Sequence, residues 1–281
     1  MAHAPRTPDF QLAEEGIRLL SCDLDGTVIF DGFPREDDLA SIDEWRKAGN
    51  LVVCNSGRSV RAARYVLERG GLGFDYYVLY SGAAVFNSEW EPLMHIPLPK
   101  NIGYELAEWL LPHPQTTLFA TTLNGRDAML SSAEHQPNYG GTIDVNAHVI
   151  DYSEIKDVEL MGMPIHVDGT DEEINALHKE ILDRYGDVID AHRNVSFIDV
   201  APKNCSKASG LAWLINYLEE STDTPHIAAT HTLGDSWNDL PMHEFADFSC
   251  SFAHSPADVQ EATTHVTEST ADYIKAVLGD L

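Results

Sequence analysis

The chain has 281 residues, 43% of them hydrophobic and 9% aromatic, which excludes a disordered, collagen-like or disulfide-scaffold polypeptide and leaves room for one large domain or a domain with an insertion. Eighteen Lys and Arg against 45 Asp and Glu give a net charge of −27, so nucleic acid and anionic membranes are disfavoured as partners and an anionic substrate needs a local reversal of sign. Cys22, Cys54, Cys205 and Cys250 stand singly, no apolar stretch approaches the roughly 18 residues of a membrane span, and the first residues lack a signal-like apolar run; a cytoplasmic protein with reduced thiols is expected.

In chain order, Ile17 to Leu24 is an apolar run of strand length broken by Asp25-Gly26-Thr27. Helical spacing of Leu39, Ile42, Trp45 and Ala48 predicts a helix from Arg35 to Ala48, stopped by Gly49. A strand from Leu51 to Cys54 leads into Asn55-Ser56-Gly57-Arg58, and Ser59 is placed to cap a helix that runs through Arg69 and closes at Gly70-Gly71. Tyr76 to Tyr80 is a further short strand. This alternation with short links describes parallel βαβ units.

From Asn87 the rhythm changes. A helix is predicted at Ile102 to Leu111, a strand at Thr116 to Leu123, a hairpin turn at Asn124-Gly125, strands at His148 to Asp151 and Met163 to Val167, and a helix at Asp171 to Tyr185. After a strand at Val195 to Val200 the alternation resumes, with a helix from Ser206 to Glu219, a strand from His226 to Leu233 and a helix near Leu240. One domain, 1–86 and 193–281, is therefore expected to be interrupted by a separate α+β unit at 87–192.

The chemistry-bearing residues fall at predicted strand ends. Asp23 and Asp25, two apart, project to one side of a strand, and at the carboxyl end of a parallel strand that side faces the ligand crevice. Like charges so close call for a neutralising cation or a held proton; turn chemistry at a strand end is the plainer alternative. Asp235 and Asp239 in Gly234-Asp235-Ser236-Trp237-Asn238-Asp239 form a second acidic cluster, and hard oxygen donors without neighbouring His or Cys suit Mg²⁺; an acidic first helical turn is the alternative. Ser56 offers a hydroxyl and backbone N–H groups at a helix start, where a capped turn would look the same. Lys207 sits at a helix start beside the unfavourable positive end of the dipole, so it is either drawn to a bound anion or solvated, with Lys203 as competing candidate.

Asp23-Leu24-Asp25-Gly26-Thr27, Ser56-Gly57-Arg58, Pro202-Lys203-Asn204-Cys205-Ser206-Lys207 and Gly234-Asp235-Ser236-Trp237-Asn238-Asp239 together resemble the four motifs of the haloacid dehalogenase (HAD) superfamily, and within it the Cof-type sugar-phosphate phosphatases, from about Ile17 to Leu278. Only 27 residues separate Thr27 from Asn55 while 148 separate Arg58 from Lys207, an arrangement similar to the C2-type cap class. The resemblance implies a doubly wound, Rossmann-like parallel α/β core with an inserted α+β C2-type cap. It further implies a Mg²⁺-dependent phosphomonoesterase acting on a small phosphorylated metabolite, with a sugar phosphate as the expected substrate. Asp23 would be the nucleophile and Asp25 the acid and base. Asp23, the Asp25 carbonyl and Asp235 would hold Mg²⁺ with Asp239 in support; Ser56 and Lys207 would bind phosphoryl oxygens, supported by Gly57 and Asn238.

Asp25 argues against the dehalogenase branch, which lacks it. Ser81, Asn55 and Ser255 depart from the residues usual in relatives and are expected near the substrate mouth. The histidines, Arg61, Arg64 and the Leu106-Trp109-Leu110 stripe read as ordinary surface or core. A phosphosugar mutase and a catalytically silent metabolite-binding protein are the alternative functions.

Overall fold

The computed structural model describes residues 10, 15–113, 115–124, 126–134, 148–221 and 224–279. The first part of the chain runs through β1 (Ile17–Cys22), a small ribbon of β2 (Ile29–Phe30) and β3 (Phe33–Pro34), α1 (Glu36–Lys47), β4 (Leu51–Asn55), α2 (Val60–Gly70), β5 (Tyr76–Leu79), β6 (Ala84–Asn87) and β7 (Pro92–His95). Then come α3 (Ile102–Leu110), β8 (Thr116–Ala120), β9 (Ala128–Ser131), β10 (His148–Asp151), β11 (Met163–Val167), α4 (Asp171–Tyr185), β12 (Ile189–Asn194) and β13 (Phe197–Pro202). The chain ends with α5 (Lys207–Glu219), β14 (Ile227–Leu233), α6 (Leu240–Phe245), β15 (Phe248–Phe252), α7 (Ala257–Ala262), β16 (His265–Thr267) and α8 (Thr270–Gly279).

An eight-stranded sheet has the order β16-β15-β14-β1-β4-β5-β6-β7, parallel from β16 to β5 and antiparallel for the last two strands. Period-two alternation fills both faces: Leu20, Val52 and Tyr77 join one buried cluster with Ile42, Trp45 and Val66, whereas Leu19, Val53 and Val78 join another with Leu211, Leu214 and Leu218 of α5. This is the doubly wound core that the family resemblance implies, built from the parallel βαβ units that the alternation predicted. The chain leaves β1 toward β4 on one side and later returns through β14 on the other, so the strand order reverses between β1 and β14. Ligands of open α/β sheets bind in the crevice beyond that point.

A second sheet, β10-β9-β8-β11-β13-β12, is mostly antiparallel and buries α3 and α4 against it through Leu106, Leu110, Ile174 and Ile181. The expected division at 87 and 193 does not follow the sheets. Pro92–His95 pairs with β6 in the first sheet, while Phe197–Pro202, read from sequence as a core strand, lies between β11 and β12 in the second, with Ile165 opposite Ile198. An apolar run declares a buried strand but not which sheet buries it. Ile189–Asn194 escaped sequence reading because its outward face carries Asp190, His192 and Asn194 and its inward face Arg193. The expected turn at Asn124-Gly125 lies partly outside the described residues; β8 and β9 flank it as an antiparallel pair.

Candidate active site

Asp23 and Asp25 lie just past the end of β1, and only the first points inward. Asp23 is buried, its backbone N–H held by the Leu233 carbonyl of β14, whereas the Asp25 side chain is half exposed. The chain leaves the strand through Gly26 at φ +76°, and a Cβ there would stand 2.3 Å from Oδ2 of Asp235. Glycine thus lets the Asp235 carboxylate close on the first loop. Regular strand alternation, the basis for expecting both aspartates on one side, ends before it reaches Asp25.

Lys207 is the first residue of α5, whose N-cap Ser206 receives the Ser209 N–H. It is fully buried, and its Nζ donates to Oδ1 of Asp23 at 2.5 Å and to Oδ1 of Asp239 at 2.6 Å. Asp239 also accepts the Ser236 N–H on its other oxygen at 3.0 Å, so it braces its own loop while holding the lysine. Asp23, Asp235 and Asp239 offer oxygens all within 4.8 Å of one another. Lys203, by contrast, is exposed and pairs with Asp190 at 2.8 Å and the Gly186 carbonyl at 2.6 Å.

The electrostatics of this cluster are those of an anionic hole. Burial pushes the Asp23 carboxyl well above its usual range, with Asp239, Asp235 and Asp25 adding to the effect against the pull of Lys207. Asp235 is pushed up to about 7, first by burial and then by Asp239. Burial would depress Lys207, but Asp23 and Asp239 hold its ammonium above the ordinary lysine value. Three carboxylates around one ammonium leave an excess negative charge in a site built only of hard oxygens at its open side. That donor set fits a magnesium-sized cation.

Ser56 is buried after β4, its N–H on the Val78 carbonyl and its Oγ 3.3 Å from the Arg58 N–H. Gly57 allows close approach of the second sheet: a Cβ there would lie 2.6 Å from Oδ2 of Asp199 and 3.2 Å from Oγ of Ser81. Asn238 is buried beside Asp239, and both its amide atoms lack a hydrogen-bond partner. Thus Asp23, Asp235, Asp239 and Lys207 converge, Ser56 and Gly57 line the adjoining cavity, and the Asp25 carboxylate turns away from the acidic cluster.

That cavity, about 260 Å³, opens between the core strand ends and the second sheet and is lined by Asp23, Asp25, Ser56, Arg58, Asp127 and Asp199 together with Phe119 and Phe197. Arg58 holds Asp25 at two points, Nε to Oδ2 at 2.6 Å and Nη2 to Oδ1 at 2.8 Å. Asp127 accepts from Ser59, which also caps α2. Sequence reading quoted Arg58 but gave it no role, and passed over Asp127 and Asp199; an aspartate inside Phe-Ile-Asp-Val-Ala was the available signal, since a strand seldom buries a carboxylate without use for it.

Two departures expected near the mouth lie elsewhere. Asn55 is fully buried and donates to Ser21 Oγ at 3.1 Å and to the Lys207 carbonyl at 3.0 Å, tying β4 to the start of α5. Ser255 receives the Phe252 N–H in a turn of the core. Ser81, whose Oγ stands by Gly57, does border the site. Arg193 of the second sheet stacks 4.5 Å over the Trp237 ring in the loop after β14.

Fold and site define a capped α/β protein with acidic loops at a topological switch point. Residues 20–278 match the haloacid dehalogenase-like hydrolases, and the chain belongs to that family. The Bacillus subtilis (strain 168) protein named "Putative phosphatase YkrA" is 24% identical over 257 residues, 89% of this chain and 92% of that one. Among solved structures, the HAD subclass IIB sugar phosphatase BT4131 superposes with TM-score 0.77 at 18% identity, covering 94% of this chain and all of the other. TM0651 from Thermotoga maritima superposes with TM-score 0.70 at 21% identity, over 93% of this chain and 96% of its own. Among the described residues no helix is long and apolar enough to cross a membrane.

Proposed function

We propose that the chain is a divalent-cation-dependent phosphatase that hydrolyses a small phosphorylated metabolite of the sugar-phosphate class through an aspartyl phosphate on Asp23. The observation that carries this reading is the buried convergence of Asp23, Asp235 and Asp239 on Lys207, with Asp25 two residues beyond at the cavity. Mg²⁺, held by the Asp23, Asp235 and Asp239 carboxylates and the Asp25 carbonyl, would supply neutralisation of the charge on the phosphoryl oxygens. YkrA's name and the sugar phosphatase BT4131 support the same class.

In the first half-reaction an Asp23 oxygen attacks phosphorus, the bond from phosphorus to the ester oxygen breaks, and Asp25 gives its proton to that oxygen. In the second, Asp25 takes a proton from water, the water oxygen attacks phosphorus, and the bond to Asp23 breaks to release phosphate. Lys207 opposes the burial that raises the Asp23 carboxyl and orients it, and meets the transferring oxygens together with the Ser56 hydroxyl. Arg58 holds the Asp25 carboxylate at the mouth, half in water, where it can reach both ester oxygen and solvent.

The test is release of inorganic phosphate from a panel of phosphorylated metabolites with Mg²⁺ and with EDTA. Metal-dependent release is expected; an isomerised sugar phosphate with no free phosphate would indicate a mutase, and tight binding without turnover a silent binding protein.

A further inference from the structure

The chain crosses between the two sheets from His95 to Ile102 and again from Pro202 to Lys207, and a side chain adds a further tie. Arg193 reaches from β12 to the loop after β14 and sets its guanidinium 4.5 Å from the centroid of the Trp237 ring. A guanidinium within ~6 Å of an indole face is attracted to it, more strongly as water is removed. Arg193 is 9% exposed, so its side of the contact is dry.

The guanidinium is fixed before it meets the indole. Its Nη1 donates to Asn175 and its Nη2 to Asp171, both in the first two turns of α4, so the second sheet's own helix sets its plane. A planar guanidinium can donate along its edge and stack with its face, which an ammonium cannot do together. The indole is held as well: its Nε1 donates to Oδ2 of Asp258 in α7 at 2.8 Å.

Trp237 stands midway in the chain between Asp235 and Asp239, two of the three carboxylates of the acidic cluster. The loop that carries them closes on itself. Asp239 accepts the Ser236 N–H on its carboxylate at 3.0 Å and returns its own N–H to the Ser236 carbonyl at 3.1 Å. A Cβ on Gly234 would stand 2.3 Å from Cγ of Asp239, so the loop has no slack at its start either. A displacement of Trp237 therefore carries both aspartates with it. Metal affinity depends on how the ligands are oriented, and the groups behind them set that orientation.

We propose that Arg193 is a positioning residue for the acidic cluster: acting through Trp237, it lets the second sheet fix the spacing of Asp235 and Asp239, so that the affinity of the cluster for Mg²⁺ depends on this contact. By linkage, a bound cation holds the loop more firmly to the second sheet. The inference rests on the reading of Asp23, Asp235 and Asp239 as cation ligands. Arg193 is not among the residues that line the cavity, which separates this role from contact with substrate.

The experiment titrates Mg²⁺ into the substrate-free full chain by calorimetry and records the melting temperature of each protein. Arg193→Met keeps the packing of the stem and removes the guanidinium; Trp237→Phe keeps a smaller ring and loses the bond to Asp258. Each should raise the Mg²⁺ dissociation constant about fivefold, short of the ~10–100-fold cost of groups that touch the ligands themselves. The double variant should be no more than about twofold weaker than the worse single one, because both changes act through one contact. Arg193→Lys keeps a cation over the ring without the fork and should lie between wild type and Arg193→Met; it serves in place of the methionine variant if that one does not fold. An unchanged Mg²⁺ affinity in the folded Arg193 variants would overturn the proposal, whatever their melting temperatures, as would losses that multiply in full in the double variant. A wild type that binds no Mg²⁺ would overturn the cation reading and this inference together. Binding that is lost in Asp235→Ala but untouched in Arg193→Met would overturn this inference alone.

Discussion

The Lys207 ammonium and the Asp23 carboxylate, 184 positions apart in the chain, meet at 2.5 Å inside the protein, at the start of α5 and just past the end of β1. Lys207 has no water to turn to, and a buried charge left by removal of its partner is strongly unfavourable. Lys207→Met should therefore lower kcat/KM about a hundredfold or more, ~3 kcal/mol of transition-state stabilisation. Lys203→Ala removes an exposed ion pair with Asp190 and should cost less than ~1 kcal/mol. Measuring both with one substrate checks the assignment, and a crippled Lys203→Ala beside a normal Lys207→Met would overturn it.

Asp23→Asn keeps the shape and loses the nucleophile. Phosphate release should fall by several orders of magnitude while circular dichroism stays that of the wild type. Retention of more than about a tenth of the activity would remove Asp23 from the nucleophile's role.

Removal of the cation should be equally decisive. EDTA is expected to abolish turnover, Mg²⁺ to restore it, and Ca²⁺ to restore it poorly, because a larger and looser oxygen shell misplaces the reacting groups. Asp235→Ala should raise the Mg²⁺ concentration for half-maximal rate at least tenfold. An unchanged titration curve would show that Asp235 holds no metal.

The contact between Arg58 and Asp25 separates stability from catalysis. Asp25 is half exposed, so the pair adds no more than ~1 kcal/mol to folding despite its two-point geometry. Arg58→Gln should leave the melting temperature within a few degrees of wild type, yet lower kcat about tenfold as Asp25 loses its fixed orientation, with Arg58→Lys recovering only part of the loss because an ammonium cannot make the fork. Equal losses in both variants, or a melting temperature that falls in step with kcat, would argue for a purely structural role.

Local signals in the chain were legible where a single element carries them. Thr170 and Glu173 form a reciprocal capping box, so the helix Asp171–Tyr185 has the bounds its spacing predicts, and Ser59 caps α2 with Gly71 left-handed at its end, as the residue types indicate. What could not be read is what two distant segments decide together. Phe197–Pro202 looks like any core strand, and its place in the second sheet depends on Met163–Val167 thirty residues earlier. Asp25 turns to Arg58 because the strand ends before it, and Asp199 packs against position 57 because a glycine there has no Cβ to meet its carboxylate. Both facts belong to packing, the second because the Asp199 carboxylate fills the room that a Cβ at position 57 would take, and periodicity has no symbol for either.

His231 gives the fold a specific weakness in acid. It is fully buried in β14, stacked 4.8 Å from the Phe248 ring and edge-on to Trp45, with Nδ1 on the Tyr273 hydroxyl at 2.8 Å and Nε2 without a partner. Burial first, then the nearby Arg18 and His265, depress its pKa to about 3. A histidine whose folded value lies below its unfolded value of about 6.5 binds its proton more readily when unfolded, so its contribution is complete above pH 6.5 and is lost as the pH falls toward 3. Across that window the group is worth on the order of 4–5 kcal/mol. His231→Phe keeps a ring against Phe248 and Trp45 but cannot take a proton, and gives up the bond to Tyr273, so its stability at pH 7 should be lower by ~1 kcal/mol. Urea unfolding at pH 7 and pH 4.5 reads the difference: the wild type should lose ~2 kcal/mol more than the variant over that interval. Parallel losses in the two proteins would mean that His231 takes no part in the acid response, whatever the absolute stability of either.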